Sequence, residues 1–569
     1  MHILQVISVF LWRICSSLTK INSMKIRVYI WAFLASLVVI LSCEKDDDEN
    51  TKNRFAIDKS KTYIDDEYEN KLKDSVWYYY KYLSLWEPVI EPATARLNEM
   101  DSTYFLKKNY TKYFQSANDV IGYLMYLTKA SVVGKSVPSN VGSGNNYNFY
   151  SDVLYTHNKD ESKAYDWYSF LDRGGFVSGA IQKGLVSGLG MEVVYIDKSN
   201  DNNADLFIRF VEKNSAAYIA GLRRGFQILK LNDDSRIDYN TQKAGNFNTL
   251  NNYLNSSRVT VEYKTPAGEI HSVEVIYKSN NYADAVFVDT VLTTGGKNVG
   301  YLGLSSFLSR DAWVITSEGY QRFDNRINNA FAAFTAQGIS EFVMDLRYNG
   351  GGSVLTAEYL SDLLVPSSAS SQLMYNYKIN TILKEFGWDE PGEEFGPVYF
   401  TKQGSLNLDR VYFLVTEETA SASELLINIL SPYMDVYMIG TYHSENGKTV
   451  ANNTYGKPVG FFPIDVVTAS NQLYVASFQM FNKDGYGDYF DGLKPKHHVW
   501  EFQSFLDFGN TEETMLATAL EHIRTGVFKT TQPRSVQGKY NLESKISREG
   551  FGPRKIQGMY KFPSKKVQF

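Results

Sequence analysis

The sequence predicts an α/β protein made of several folding units, and three observations support this prediction. Strand-like apolar runs alternate with helical patterns between about residues 285 and 508, as in a layered α/β domain. Short β-like runs precede this region, between about residues 186 and 279. The chain has 569 residues, whereas a single core rarely grows beyond ~250–300 residues. We therefore expect about three modules.

The composition is that of a folded globular protein, with 44% hydrophobic and 21% charged residues. The formal net charge is −5, and no basic patch lies among stacking aromatic residues, which argues against nucleic acid as a partner. No spacing of His or Cys suits a zinc ion, so we expect no metal site. Both cysteines, Cys15 and Cys43, precede the first predicted folded segment, so we expect no disulfide framework.

Residues 1–43 have the features of a secretory signal. Lys25 and Arg27 precede an apolar run over residues 28–41, and an acidic stretch follows Cys43. The apolar run is shorter than the ~20 residues that a membrane-spanning helix needs. Residues 40–43, Ile-Leu-Ser-Cys, resemble the bacterial lipobox. This resemblance implies that Cys43 carries a lipid and that the membrane is a partner through this anchor.

The alternative is an uncleaved membrane anchor with an incidental cysteine. In both cases the folded part of the chain lies outside the cytoplasm. We therefore expect a lipid-anchored protein of the bacterial cell envelope that faces the periplasm or the outer membrane.

The chain behind the signal begins with a polar, acidic stretch over residues 44–56, which predicts a tether. Residues 57–185 predict an N-terminal helical domain, because apolar residues recur at three- and four-residue intervals over 65–85 and a second such pattern covers 119–130. Residues 137–148 are rich in Ser, Gly and Asn and predict an exposed loop.

Residues 186–280 predict a β-rich domain, and residues 281–525 predict the α/β domain. The tail, 526–569, shows no clear period, so we expect it to be irregular or packed over another domain. The predicted strands of the β-rich domain are 191–196, 206–211, 227–231, 259–263 and 272–277. The predicted elements of the α/β domain are strands 299–304, 342–346 and 411–415 and helices 322–336, 357–364 and 424–430.

The first motif that points to chemistry is a strand that runs into three glycines, Phe342 to Gly352. Glycine permits close approach of the backbone to a ligand. Backbone N–H groups in such a turn can stabilise a developing oxyanion. Taken alone, this pattern is only moderately specific.

The second motif places Ser421 between a buried strand, Val411 to Thr416, and a helical pattern. A serine at a strand-to-helix turn exposes its hydroxyl where helix-end amides stabilise negative charge, as a nucleophile requires. The alternative is that Ser421 or Ser423 only caps the helix.

The third motif is Thr454 to Gly460, in which Lys457 is flanked by glycines and apolar residues. Burial disfavours the ammonium form of a lysine and lowers its pKa. Such a lysine can accept a proton from a serine hydroxyl and replace a histidine base.

Together these three motifs resemble those of the C-terminal processing, or tail-specific, serine peptidases, which read approximately DLRxNxGG, TASASE and TxGKxxG in that order. The resemblance implies a ClpP/crotonase-like α/β peptidase domain that needs no cofactor. It also implies that Ser421 is the nucleophile, that the N–H of Ala422 contributes to the oxyanion hole, and that a glycine of 350–352, for which we favour Gly351, contributes the other N–H.

The family lysine corresponds best to Lys457, 36 positions after Ser421, although better-known members have a shorter separation. A rival, Lys448, lies 27 positions after Ser421 but lacks the flanking glycines. Many members carry a glutamine four residues after the lysine, where this chain has Phe461. Glu424 matches a family glutamate that orients the site, although a first-turn glutamate is also expected from the helix dipole alone.

The β-rich region resembles a PDZ domain. Residues 214–229 are similar to the PDZ stretch that reads SPAAxAGLxxGDxIL, with Phe226 where Asp is usual. Gly188, Leu189 and Gly190 resemble the loop whose amides bind a chain-terminal carboxylate while a strand edge pairs with the peptide. The alternative for this loop is an ordinary glycine turn before a strand.

The resemblance implies a serine endopeptidase that cleaves proteins or peptides near their C-termini with a Ser-Lys dyad. The PDZ-like domain would present the substrate tail, so substrate C-termini are the expected partners. The alternative is a catalytically inactive lipoprotein that binds peptides or another ligand on the same fold.

Overall fold

The computed structural model describes residues 59–64, 66–91, 103–128, 166, 168–196, 203–317, 319–445, 448–529 and 558–563. The predicted signal with Cys43, the predicted tether 44–56 and the predicted loop 137–148 lie outside these residues.

Three helices form the first part of the described chain. Asp66 caps the first of them, because its carboxylate accepts a hydrogen bond from the N–H of Glu69 at 3.1 Å. Ser116 and Asp119 form a reciprocal capping box at the start of the third. The helices are α1 (Glu67–Leu83), α2 (Thr103–Asn109) and α3 (Ala117–Leu127).

A short connecting region follows, and its elements are β1 (Phe170–Asp172), α4 (Phe176–Lys183) and β2 (Leu185–Gly188). The sequence predicts a helical domain over residues 57–185. The structure adds β1, whose three residues are too few for a strand period to show in the sequence.

The β-rich region contains an antiparallel sheet of five strands within the described residues, with the order β3-β4-β5-β6-β7. Alternate residues of β6, namely Val259, Val261 and Tyr263, are buried in its core. The elements are β3 (Met191–Ile196), β4 (Asp205–Val211), α5 (Ala216–Ile219), β5 (Gln227–Leu231), α6 (Tyr239–Ala244), α7 (Asn248–Leu254), β6 (Arg258–Lys264) and β7 (Ile270–Ile276).

The α/β region contains the remaining elements. Its strands up to the candidate site are β8 (Lys278–Tyr282), β9 (Val286–Thr294), β10 (Lys297–Leu304), β11 (Trp313–Thr316), β12 (Gly319–Arg322), β13 (Glu341–Asp345), β14 (Gly351–Ser353), β15 (Leu373–Lys378), β16 (Val398–Tyr399) and β17 (Arg410–Leu414). The later strands are β18 (Asp435–Glu445), β19 (Lys448–Ala451), β20 (Val459–Val466), β21 (Thr468–Asn482), β22 (His497–Val499) and β23 (Gly558–Tyr560). The helices are α8 (Phe323–Ala336), α9 (Val354–Leu364), α10 (Thr381–Glu385), α11 (Ala422–Leu430) and α12 (Thr514–Thr525).

One sheet of this region is largely parallel. Its order is β19-β18-β17-β13-β10-β9, and β22 also pairs with β18. The strands β10, β13, β17 and β18 run parallel, whereas β9 and β19 form antiparallel hairpins at the two ends. Helix α12 packs its apolar face, including Met515 and Leu516, on this sheet. Parallel strands separated by helices confirm the α/β class predicted from the sequence.

A second sheet has the order β14-β23-β20-β21-β15-β16, and β1 pairs with β21. Strand β23 comes from the predicted tail and lies between β14 and β20. The sequence predicts no strand there, because three residues near Gly and Pro show no detectable period. Within the described part of the chain, no helix has both the length and the apolar character needed to cross a bilayer.

Candidate active site

The glycine motif and the serine motif meet because they follow neighbouring parallel strands. β13 leads into residues 346–350, and β17 leads into residues 415–421. The two strands pair in parallel, so their carboxyl ends lie at one edge of the sheet, where ligand sites of α/β folds form. The N–H of Ala420 donates to the carbonyl of Asn349 at 3.0 Å, which joins the two loops directly.

Asn349 holds the glycine loop in place. Its side-chain amide donates to the Leu304 carbonyl at 2.8 Å, and its Oδ1 accepts the N–H of Gly351 at 2.9 Å. Its carbonyl also accepts the hydroxyl of Ser423 at 3.1 Å. One asparagine therefore connects strand β10, the glycine loop and the first turn of α11.

Arg347, in the same loop, belongs to a buried ionic network. Its guanidinium lies 2.6 Å from Asp345 and 2.7 Å from Glu513 of the segment before α12. Tyr301 donates its hydroxyl to Asp345 at 2.7 Å. Because an unpaired buried charge is strongly unfavourable, this network fixes the loop between β13 and the glycines.

Ser421 lies at the turn between β17 and α11 with φ 63° and ψ −110°. This backbone conformation is unfavourable for a residue with a side chain, and such strain is concentrated at functional sites. The side chain is fully buried, and among the described residues Oγ has no hydrogen-bond partner. A buried hydroxyl without a partner is costly for folding, so its retention points to chemistry.

The carboxylate of Glu424 connects the serine to the lysine segment. It accepts the N–H of Ser421 at 2.7 Å, the N–H of Gly456 at 2.8 Å, the N–H of Lys457 at 2.9 Å and the hydroxyl of Thr454 at 2.5 Å. Burial raises the pKa of Glu424, and these four donors oppose the increase. Glu424 therefore positions Ser421 and Lys457 relative to each other.

Lys457 is buried, with 4% of its surface exposed. Its Nζ lies 4.2 Å from the centre of the Phe461 ring and 4.9 Å from the centre of the Tyr168 ring. Loss of hydration lowers the pKa of Lys457 to about 7, although Asp166 and Glu424 favour the charged form. The amine is therefore neutral in a large fraction of molecules near pH 7, as a general base requires.

Lys457 Nζ does not hydrogen-bond to Ser421 Oγ in this conformation, since that hydroxyl has no partner in the described part of the chain. Phe461, at the position where the resemblance led us to look for a glutamine, presents its ring to the amine. An aromatic face attracts the ammonium form without offering a hydrogen bond that would direct the amine.

The proposed oxyanion donors lie side by side. A Cβ built on Gly351 would come within 3.0 Å of both the Ala422 nitrogen and Ser421 Cβ. Gly351 has φ 107°, a conformation that glycine tolerates. Its N–H, however, donates to Asn349 in this structure. To bind an oxyanion, the N–H of Gly351 would have to give up its hydrogen bond to Asn349.

The rival lysine, Lys448, begins β19, where it pairs with Glu445 at the end of the β18–β19 hairpin. Its side chain lies outside what the structure describes. The backbone of Lys457, by contrast, is bonded to Glu424 beside Ser421. The described contacts therefore connect Lys457 to the candidate site, and Lys448 remains the alternative base.

The predicted peptide-binding loop, Gly188 to Gly190, leads into β3, which is an edge strand of the five-stranded sheet as described. The carbonyls of Leu189 and Gly190 accept the N–H groups of Ala217 at 2.9 Å and Glu212 at 2.8 Å. A glycine loop before an open strand edge is the geometry that strand addition uses.

The β-rich region contacts both loops of the candidate site. Arg209 of β4 pairs with Glu418, three residues before Ser421, at 2.5 Å. Arg224 is buried, donates to the Tyr348 hydroxyl at 2.9 Å and pairs with Glu501 at 2.8 Å. A shift of this region would therefore be transmitted to the loops that carry the candidate site.

Sequence reasoning missed Asn349, Asp166 and Tyr168 as site residues. Asn349 had a signal, because it occupies a fixed place in the first motif. Asp166 is buried and accepts the N–H of Tyr168 at 3.1 Å, and both lie beside Lys457. Nothing in the sequence near them indicated this, since nearly three hundred residues separate them from the lysine.

The described residues contain no group of three or more His, Cys, Asp or Glu side chains arranged to hold a metal ion.

The fold and the site together define a class. An α/β sheet with a strained serine at a strand-to-helix turn is typical of serine hydrolases. Residues 298–495 match the model of peptidase family S41. This range contains the glycine loop, Ser421 and Lys457. Among curated proteins, none matches the chain.

One solved structure shares the fold, and two others are less similar. An S41 protease from Bacteroides fragilis is 24% identical, with coverage of 82% of this chain and 98% of that chain and a TM-score of 0.54. The photosystem II D1 C-terminal processing protease is 15% identical, with coverage of 76% and 92% and a TM-score of 0.37. The tricorn protease is 12% identical, with coverage of 80% and 37% and a TM-score of 0.34.

Proposed function

We propose that this chain is a serine endopeptidase that cleaves polypeptides near their carboxyl termini, with Ser421 as nucleophile and Lys457 as general base. The observation that carries the proposal is the shared carboxylate of Glu424, which binds the backbone of both residues. The match of residues 298–495 to the model of peptidase family S41 supports it.

In the proposed reaction, Ser421 Oγ attacks the substrate carbonyl and Lys457 Nζ takes the hydroxyl proton. The N–H groups of Ala422 and, after it leaves Asn349, Gly351 stabilise the oxyanion. Lys457 then gives its proton to the leaving amine, which leaves an acyl group on Ser421. Water, activated by the same amine, hydrolyses this ester and restores the serine.

We propose that the PDZ-like region holds the substrate tail. The open edge of β3 offers backbone groups for pairing, and the loop at Gly188 to Gly190 stands at its start. The ion pairs of Arg209 and Arg224 support a fixed placement of that edge relative to the catalytic loops.

We also propose that the chain is anchored by a lipid on Cys43 in the bacterial cell envelope. The support is the signal-like sequence of residues 1–43 and its lipobox-like end. Metabolic labelling with an alkyne-bearing fatty acid should mark the wild type and not Cys43→Ala. Equal labelling of the two would contradict the anchor.

The test of the peptidase uses an unstructured protein labelled at its carboxyl terminus, with mass spectrometry to locate the cut. Ser421→Ala should lower kcat/KM by roughly a thousandfold or more. Ser431→Ala, at the far end of α11, is the matched control and should remain active. Equal turnover by wild type and Ser421→Ala would exclude Ser421 as the nucleophile.

A second candidate is a binding protein without hydrolysis. The missing hydrogen bond between Lys457 and Ser421 and the ring of Phe461 favour it. Wild-type protein that binds an unstructured peptide but never cleaves it would establish this function.

A further inference from the structure

The last described strand, β23, lies against the candidate active site. In parallel register, Gly558 faces Gly351 and Tyr560 faces Ser353, and the N–H of Gly558 donates to the Gly350 carbonyl at 3.0 Å. On its other side, the N–H of Lys561 donates to the Phe461 carbonyl of β20 at 3.0 Å. The strand is therefore inserted between the glycine loop and the strand that follows Lys457.

The start of β23 shares one face of Gly351 with the candidate nucleophile. A Cβ built on Gly351 would lie 2.6 Å from the Gly558 carbonyl oxygen and 3.0 Å from Ser421 Cβ. It would also lie 3.0 Å from the Ala422 nitrogen. An extended substrate that delivers a carbonyl to Ser421 needs this face, so Gly558 stands where a substrate backbone would pass.

Tyr560 fills an aromatic pocket beside the site. It is 1% exposed, and its ring centre lies 5.5 Å from that of Phe461 and 5.6 Å from that of Tyr474. Leu85, Trp86 and Tyr168 belong to the same apolar cluster. Phe461 thus contacts both Lys457 and Tyr560, which places the pocket next to the catalytic lysine.

Lys561 enters an acidic pocket on the other side. Its Nζ lies 3.4 Å from Glu394 and 5.3 Å from the centre of the Tyr377 ring. Burial raises the pKa of Glu358, and the positive charge of Lys561 opposes that increase. The pocket therefore matches a basic side chain.

Contacts, and not chain connection, determine where β23 lies. Residues 530–557 join Lys529 to Gly558 and are outside the described residues. A segment of this length can extend over about 90 Å. Lys529 therefore imposes little restriction on the position of Gly558.

We propose that residues 558–563 occupy the substrate cleft as an intramolecular inhibitor, and that they leave before an external polypeptide pairs with β14. This inference rests on the proposed peptidase function. It also defines the substrate class, an extended peptide with a small residue at the catalytic loop, an aromatic residue two positions later and a basic residue after that. The order Gly-Met-Tyr-Lys of residues 558–561 fits these sites.

The test keeps the full chain and inserts a recognition site for a sequence-specific protease within residues 530–557. A tethered segment competes at an effective concentration on the order of millimolar, so cutting and dilution should raise hydrolysis of an unstructured fluorescent protein by about tenfold or more. A synthetic peptide of residues 552–569 should reverse the increase. Peptides with Tyr560→Ala or Lys561→Glu should inhibit at least about tenfold less well, and a scrambled peptide should not inhibit.

Two results would overturn the inference. One is a cut chain that loses its cooperative thermal transition, because β23 would then be a structural strand. The other is a cut chain with unchanged activity that the added peptide does not inhibit.

Binding to the cut Ser421→Ala chain separates this inference from the peptidase proposal. If labelled peptide binds and an unstructured protein displaces it, the cleft and its occupant are established even where the wild type shows no turnover. If the wild type cleaves substrates but the peptide does not bind, the peptidase proposal stands and the inhibitor is excluded.

Discussion

Glu424 is the residue on which the candidate site depends most directly. Its carboxylate binds the backbone N–H groups of Ser421 and Lys457, whose side chains carry the proposed proton transfer. A glutamate in the first turn of a helix was expected from the helix dipole alone. The structure adds the contact with the lysine segment, so this residue positions the proposed catalytic groups as well as capping α11.

The lowered pKa of Lys457 predicts how kcat/KM depends on pH. The base must be neutral, and burial lowers its pKa to about 7. Below pH 7 the amine is increasingly protonated, so kcat/KM should fall about tenfold per pH unit, and it should level off above about pH 8. Lys402→Met is the control, because burial also lowers the pKa of Lys402, to about 8. A profile that follows Lys402 instead would contradict the assignment.

The conformation of Gly351 leads to a second prediction, which concerns stability. Gly351→Ala should lower the free energy of unfolding by roughly 2–3 kcal/mol, because the backbone has φ 107° and the new methyl group would meet the Gly558 carbonyl at 2.6 Å. Gly338→Ala is matched, since φ is 61° with open space around it, and should cost only about 1 kcal/mol. Urea denaturation measures both, and equal losses would show that the close approach has no effect.

The order of the strands in the sheet brings the parts of the candidate site together. β13 and β17 are neighbours in parallel, so the loops after them meet, although Gly351 and Ser421 are seventy residues apart in the chain. The five-stranded sheet then contacts these loops through Arg209 and Arg224. The resemblance of this region to a PDZ domain did not indicate which residues would make this contact.

Arg224→Met should lower the free energy of unfolding by about 3–5 kcal/mol, because it leaves Glu501 buried without its closest cation. Arg223→Met is the neighbouring control. Arg223 stacks on Tyr218 within its own region at 3.8 Å, so its loss should cost about 1 kcal/mol or less. Guanidinium denaturation compares the two, and a similar cost for both would show that the Arg224 network contributes little.

At the scale of the whole molecule, the N-terminal helices and the α/β region share a core. Leu85 and Trp86 pack in one cluster with Val459, Phe461 and Tyr560. The described residues belong to one compact unit. We therefore expect these regions to unfold together, although the sequence analysis separated them as modules.

Trp86→Ala should lower the stability of the whole unit by about 3–5 kcal/mol, because Trp86 is 1% exposed within that shared cluster. Trp313→Ala, at 48% exposed, should change it by less than about 1 kcal/mol. Circular dichroism and tryptophan fluorescence should give coincident transitions. Two separate transitions would show that the helical region folds independently.

Local patterns were sufficient for much of the fold. Strands 191–196 and 227–231 have the predicted bounds, and the helix predicted over 322–336 covers 323–336. Periodicity succeeds there because apolar residues recur over several turns or alternations. It failed for β1 and β23, where three residues contain too little pattern.

The candidate site, like the fold, could be predicted only in part from the sequence. The three motifs indicated Ser421, Lys457 and the glycine loop, because each needs particular residue types in sequence order. They could not indicate that Asn349 binds Gly351, or that Asp166 and Tyr168 approach the lysine. Such contacts depend on the relative position of distant segments.

By itself the sequence determined the α/β class and the residues able to carry acyl-transfer chemistry, since both depend on local periodicity and residue type. Only the tertiary structure decided that Glu424 joins the serine to the lysine segment and that β23 pairs with β14 beside the glycine loop. The physical reason is that burial and hydrogen bonding between distant segments are properties of the packed chain, and no local window of residues contains them.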